Sequence, residues 1–242
     1  MIHFLNCFTC NARWPKGWGT GTLCLLVETD QGLVLVDTGL GIMDYAQPTW
    51  FTQFFRVITQ MPFDPQEAAV HQVEKLGFQP EDVRHIVLTH MHFDHCGGLP
   101  DFPWAKIHVH RREYESFTRG SLNPFNLAYV RRHIDHRPEF VCYGNTSQKW
   151  FDFNAIRLPF TPEMWLIPLP YHTSGHCGVA IQTEAGWHLH CGDAAGDFRK
   201  NLPRWAIRLV LGPHEPRLRA FGEVHPEVQL TASHMFSDYF AD

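Results

Sequence analysis

No run of ~18 consecutive apolar residues occurs in this 242-residue chain, so no transmembrane helix is expected. The start, from Met1 to Cys7, lacks a cationic stretch and a long apolar segment, so no secretory signal is expected either. Cysteines are few and unpaired in number. The seven are Cys7, Cys10, Cys24, Cys96, Cys142, Cys177 and Cys191, and an odd count at irregular spacing is not a secreted disulfide framework. These absences point to a cytoplasmic, reducing compartment. There is no excess of positive charge: 20 Lys and Arg face 25 Asp and Glu, a formal charge of −5. That disfavours a dedicated nucleic-acid binder. With charged residues at only 19% and hydrophobic ones at 44%, the chain does not read as disordered. It has no strong internal repeat and no low-complexity linker, so residues 1–242 are expected to form one domain.

What the chain has in quantity is histidine, 17 residues against those 20 Lys and Arg. Histidine is the commonest metal ligand and a frequent proton carrier. The question is where the imidazoles gather.

Residues 22–28 and 33–36 are short apolar runs split by Asp30-Gln31-Gly32, which reads as a hairpin. An aromatic-rich stretch follows at residues 45–63, with Trp50, Phe51, Phe54 and Phe55. Residues 65–76 read as a helix stopped by Gly77. Ile86-Val87-Leu88 reads as a buried strand and residues 106–109 as another. Residues 111–117 and 125–136 look helical. Short strands are expected within 150–169, at 178–183 and at 187–191, then a helix near 215–223 and a strand at 228–231. Strands and helices interleave, and two sheet layers with helices outside would bury both halves.

Directly after the Ile86-Val87-Leu88 strand stands His90-Met91-His92-Phe93-Asp94-His95. Three imidazoles and a carboxylate within six residues suit zinc and similar metals. One short loop cannot readily turn all four onto a single ion, and two ions sharing the loop is easier. Gly97-Gly98 lets the chain bend away with its backbone close to the site. Further ligands must come from other strand ends. The candidates are His172 and His176, Asp193 and His234. Position along the chain does not choose between His172 and His176.

Taken in order, Asp37-Thr38-Gly39, the block from His90 to His95, the His172/His176 pair, Gly192-Asp193 and the late His234 resemble the metallo-β-lactamase superfamily. The resemblance runs from residue 37 to residue 234. It implies an α/β fold, an αββα sandwich of two mixed sheets flanked by helices, with metals at one edge. It assigns His90, His92 and His172 to a first metal and Asp94, His95 and His234 to a second. Asp193 would bridge them, His176 would pack behind, and Asp37 would support the metal loop. The sequence departs from the family pattern at Tyr171, where glycine is usual.

The implied cofactor is two Zn2+, with Mn2+ or Fe as alternatives. Two cations sharing a water would shift its pKa from ~15.7 towards ~7 and give a bridging hydroxide for hydrolysis. Asp94 is the candidate catalytic residue, orienting the nucleophile or relaying a proton. The expected substrate is a small ester-like molecule, a lactone, thioester or relative. The alternatives are a mononuclear iron dioxygenase of the same fold and a phosphodiesterase. Quorum-signal lactonases carry a tyrosine three residues after the bridging aspartate; here that position is Gly196. The expected partner is a small molecule, with no nucleic acid and no membrane. The aromatic stretch at 45–63 could pair two copies into a homodimer.

Other signals carry blander expectations. His108 and His110 read as strand-surface residues. His188 and His190 are candidates for support behind the metals. His71, His85, His133, His136, His214 and His225 read as surface or packing residues. Cys7 and Cys10 form a CxxC without a second pair and read as buried thiols. Arg131-Arg132 reads as a solvated basic pair.

Overall fold

Alternating apolar residues at 23–27 and 33–36 face two different cores. The computed structural model describes the chain at residues 1–12, 18–62, 64–119, 127–144, 147–196 and 212–234, and side chains throughout these except at 10–12, 18–20 and 58–59. The elements are β1 (Ile2–Ala12), β2 (Trp18–Thr29), β3 (Gly32–Val36), α1 (Ile42–Ala46), α2 (Trp50–Thr59), α3 (Ala69–Lys75), β4 (Val83–Val87), α4 (Phe93–Cys96), β5 (Lys106–His110) and α5 (Arg111–Arg119). After them come β6 (Phe140–Tyr143), β7 (Lys149–Trp150), β8 (Phe153–Asn154), β9 (Ile156–Arg157), β10 (Met164–Pro168), β11 (Cys177–Thr183), β12 (Gly186–His190), α6 (His214–Val224) and β13 (Val228–Thr231).

Besides the two-stranded ribbon β7-β8, one large sheet has the order β1-β2-β3-β4-β5-β6 and the other β13-β12-β11-β10-β9. Both are mixed. β1, β2 and β3 pair antiparallel, while β3 to β6 run parallel. β12 and β13 are parallel, and the remaining pairs of that sheet are antiparallel.

Leu23, Leu25, Val27, Val34, Val36 and Val87 point from the first sheet onto Met164, Leu166, Val179 and Ile181 of the second. The intervening Cys24, Leu26, Leu33 and Leu35 point the other way, into a core with Val70 and Val73 of α3 and Phe117 of α5. Behind the second sheet, Ala180 and Leu189 pack on Leu218 and Phe221 of α6. Because side chains alternate across a strand, a strand covered on both faces is apolar throughout, as 23–27 is. The layers are helix, sheet, sheet, helix, the expected αββα sandwich.

The helix expected at 125–136 is not formed in its described part. Residues 127–136 hold no α-helix, only 3-10 turns at 127–128 and at Arg131–Ile134. Their side chains act as tethers instead. Tyr129 reaches Glu113, while Arg132 and His133 both reach the buried Asp44. Tertiary contacts override local propensity here. Arg132 is therefore not the solvated residue expected: it lies 3.0 Å from Asp44 and donates to the carbonyls of Met43 and Gln47.

Candidate metal centre

The strands β3, β4, β10, β12 and β13 deliver their following loops to one edge of the sandwich. Asp37 follows β3, His90 to His95 follow β4, His172 follows β10, Asp193 follows β12 and His234 follows β13. The HxHxDH segment is divided by α4. His92 caps its start, and the backbone N–H groups of His95 and Cys96 donate to the His92 carbonyl, both at 3.0 Å. His90 and His92 thus come from extended chain, Asp94 and His95 from a helical turn.

Asp37 organises the loop from below. It sits at φ +55°, with its carboxylate wholly buried. Oδ1 accepts the Thr89 N–H at 2.8 Å and Oδ2 the Thr89 hydroxyl at 2.7 Å. Oδ2 also accepts from His95 Nδ1 at 2.9 Å. The Thr89 hydroxyl has one proton, already given to Asp37, so at 3.1 Å it can only accept from His90 Nδ1. One carboxylate therefore fixes the tautomers of two imidazoles and turns both Nε2 atoms into the cluster. His234 Nδ1 donates to the Gly21 carbonyl at 2.7 Å, which turns its Nε2 towards Asp193.

Asp193 stands between the histidines. Its Oδ1 is 3.4 Å from His95 Nε2. Its Oδ2 is 3.3 Å from His172 Nε2, 3.3 Å from His234 Nε2 and 3.9 Å from His90 Nε2. Asp94 Oδ2 lies 3.7 Å from His95 Nε2 and 3.9 Å from His234 Nε2. His172 Nε2 and His92 Nδ1 are 3.0 Å apart. Three overlapping groups could each hold an ion: His90, His92 and His172; His90, His95 and Asp193; Asp94, His95 and His234. The structure thus brings together all seven residues expected from the sequence.

The residues fit metal ions. His90 Nε2, His92 Nε2, His95 Nε2 and Asp193 Oδ1 are buried with no hydrogen-bond partner among the described residues. Buried polar atoms are normally satisfied, and leaving them unpaired is costly. Burial, joined by neighbouring imidazoles, holds His90 and His92 well below the usual histidine range, so they stay neutral and able to coordinate. Burial opposes protonation of His95 too, but Asp193, Asp94 and Asp37 outweigh it and raise its pKa well above the usual range. His234 is raised as well, against burial, by Asp193 and Asp94. Burial pushes Asp193 up, yet His234 and His95 hold it well below the usual carboxylate range. The carboxylates draw positive charge into the cluster, as protons or as metal ions.

The two downstream histidines separate by geometry. His172 joins the cluster, whereas His176 Nε2 accepts the backbone N–H of Asp193 at 3.0 Å and tethers that loop. Tyr171, next to His172, is half exposed. Its N–H donates to the Thr173 carbonyl, and its ring packs on Gly212.

Of the remaining histidines, His190 reaches Ser233, beside His234, through Nε2 at 3.2 Å and shares the Thr231 hydroxyl with His188. His108 is buried away from the cluster, between His85 and Tyr143. Cys7 is a buried free thiol, and the Cys10 side chain lies outside the described residues. Gly97 is in ordinary helical backbone, φ −61°, and is needed for space rather than for a bend. A Cβ there would lie 2.5 Å from Asp44 Oδ2.

Sequence reasoning missed Glu113. It reads as a charged residue on a surface helix, yet it is wholly buried. The available signal is its place four residues before Phe117, on the same apolar face of α5. Among the described residues no helix is long and apolar enough to cross a membrane.

A family profile described as the metallo-beta-lactamase superfamily matches residues 17–221. A probable metallo-hydrolase of Mycobacterium tuberculosis is 42% identical over 197 residues, covering 80% of this chain. The chain spans only 62% of that relative's length. An N-acyl homoserine lactonase of a Bacillus species is 29% identical over 166 residues, covering 66% of this chain and 58% of its own. Among solved structures, an N-acyl homoserine lactone hydrolase with N-hexanoyl-L-homoserine at its catalytic metal centre superposes with TM-score 0.69. It is 21% identical, and the match covers 98% of this chain and 93% of that one, a likeness of fold.

Proposed function

Because the chain belongs to the metallo-beta-lactamase superfamily, we propose that it is a metal-dependent hydrolase with a dinuclear centre, zinc being the first choice of metal. The observation that carries this reading is Asp193, whose two oxygens face His95 on one side and His172 and His234 on the other. In this reading His90, His92 and His172 hold one ion, Asp94, His95 and His234 the other, and Asp193 lies between. When bound, two such cations lower the pKa of a shared water from about 15.7 towards about 7 and polarise a substrate carbonyl.

The protein's own groups do the rest. Asp37 and the Gly21 carbonyl keep His90, His95 and His234 in the tautomers that present Nε2. Asp94 is the catalytic residue of this proposal. Its carboxylate accepts the proton of the attacking water and passes it to the departing oxygen or sulfur.

The substrate proposed is a small, uncharged ester-like molecule, a lactone or thioester, hydrolysed by residues 1–242 acting as one catalytic domain. The lactonase relatives support this class. So does α2: Phe51 and Phe55 stack edge-on against Phe93, between His92 and Asp94, at 5.6 and 5.2 Å. An aromatic helix thus adjoins the metal loop and suits an apolar acyl group.

The test is elemental analysis of protein purified without added metal, followed by assay on lactones and thioesters. About two zinc per chain with hydrolysis supports the reading. About one iron per chain without hydrolysis overturns it in favour of oxidative chemistry.

A further inference from the structure

The clusters outside the metal ligands differ in what they join. The His85–His108–Tyr143 row links three strands of one sheet. Asp44 with Arg132 and His133 ties α1 to the 3-10 turn. Glu113 joins the two loops that carry His90, His92 and His172.

Glu113 lies in the first turn of α5 with no exposed surface. Oε1 accepts the Met91 N–H and the Tyr129 hydroxyl, both at 2.9 Å. Oε2 accepts the Thr173 hydroxyl at 2.6 Å and the Gly175 N–H at 3.2 Å. Met91 stands between His90 and His92, and Thr173 follows His172. Tyr129 also places its ring 5.3 Å from that of His92. Gly175 lets the second loop close on α5, since a Cβ there would fall 2.1 Å from the Glu113 nitrogen. Burying a carboxylate is costly, and four donors offset that cost only while both loops stay in register. The other half of the centre is oriented separately, His95 by Asp37 and His234 by Gly21.

We propose that Glu113 is a positioning residue for the first metal, holding His172 at its distance from His90 and His92 without touching the ion. This rests on the two-metal reading above. It assigns Glu113 to one half of the centre, so its removal is selective.

The test titrates metal-free protein with Co2+ against a competing chelator and reads two dissociation constants and the cobalt absorption bands. His172→Ala marks which constant and which band belong to the first metal. Glu113→Gln cannot accept all four donors, and that constant is expected to weaken about 10–100-fold, with its band altered. The second constant stays within twofold, and so does the metal-free melting temperature within a few degrees. Thr173→Val removes one donor and should weaken the same constant less, while Thr173→Ser restores it. If Glu113→Gln fails to fold, the Thr173 pair carries the test. Unchanged constants in Glu113→Gln and Thr173→Val overturn the assignment. So does parallel weakening of both constants with a lowered metal-free melting temperature, which marks a general prop. A wild type that binds a single cobalt overturns the two-metal reading itself and this assignment with it.

Discussion

His95 Nδ1 lies 2.9 Å from Asp37 Oδ2, both groups wholly buried, and the same oxygen takes the Thr89 hydroxyl that fixes His90. Asp37 thus governs one histidine from each proposed half of the centre. Asp37→Asn keeps the shape but offers a donor where an acceptor is needed. Metal affinity should fall about 10–100-fold for both ions. Chelator competition on purified protein measures it, and a variant that holds metal as wild type does would count against the tautomer argument.

Asp193 faces four imidazoles, so its removal is more damaging. Asp193→Ala should lose metal by more than the roughly 100-fold that supporting residues can cost, and turnover should fall with it. Metal content and hydrolysis are measured on the same sample. Retained turnover would place the chemistry elsewhere in the molecule.

Burial depresses the His108 pKa, with His85 and Lys106 adding to it, to about 3. Unfolded, the ring titrates near 6.5. Between those values the unfolded chain binds more protons, so stability falls as pH falls and is constant above about 7. His108→Phe removes this contribution. The stability difference between wild type and variant should shift against the wild type by about 2 kcal/mol from pH 7.5 to pH 5. Urea unfolding of the metal-free proteins at the two pH values reads it out. An identical difference at both would mean that His108 titrates normally.

Leu166 is wholly buried between the sheets, among Leu23, Val36 and Val179. Leu166→Ala should cost about 2–5 kcal/mol in denaturant unfolding. Metal content per folded molecule should not change, because the site lies at the sandwich edge. Loss of metal at full folding would show that the core sets the site more directly than its loops do.

The local part of the site was legible in the sequence because its residues are neighbours. His90, His92, Asp94 and His95 share one turn after one apolar strand. His172, Asp193 and His234 were legible from the chain itself as strand-end candidates, and the resemblance gave them roles. Position along the chain did not choose between His172 and His176; the family resemblance favoured His172, and the Asp193 N–H on His176 agrees with it. Most strands were visible from apolar runs; β6 was not, and neither was β1. Its register shifts between Asn6 and Thr9, and that irregularity breaks the alternation on which such a reading depends. Glu113 and Arg132 were missed for a common reason: a charge on a surface-type segment is ordinary until its partners are seen. The absence of an α-helix over 127–136 follows from such partners, which hold Tyr129, Arg132 and His133 in an irregular path.

The strand ends around the cluster come from both layers of the sandwich. The first sheet supplies Asp37 and the His90 to His95 turn; the second supplies His172, Asp193 and His234. Neither sheet can assemble the constellation alone. An ion held there would take ligands from both layers and so tie them together at their rim. Metal bound there would therefore strengthen the packing of one sheet on the other as well as fill the site.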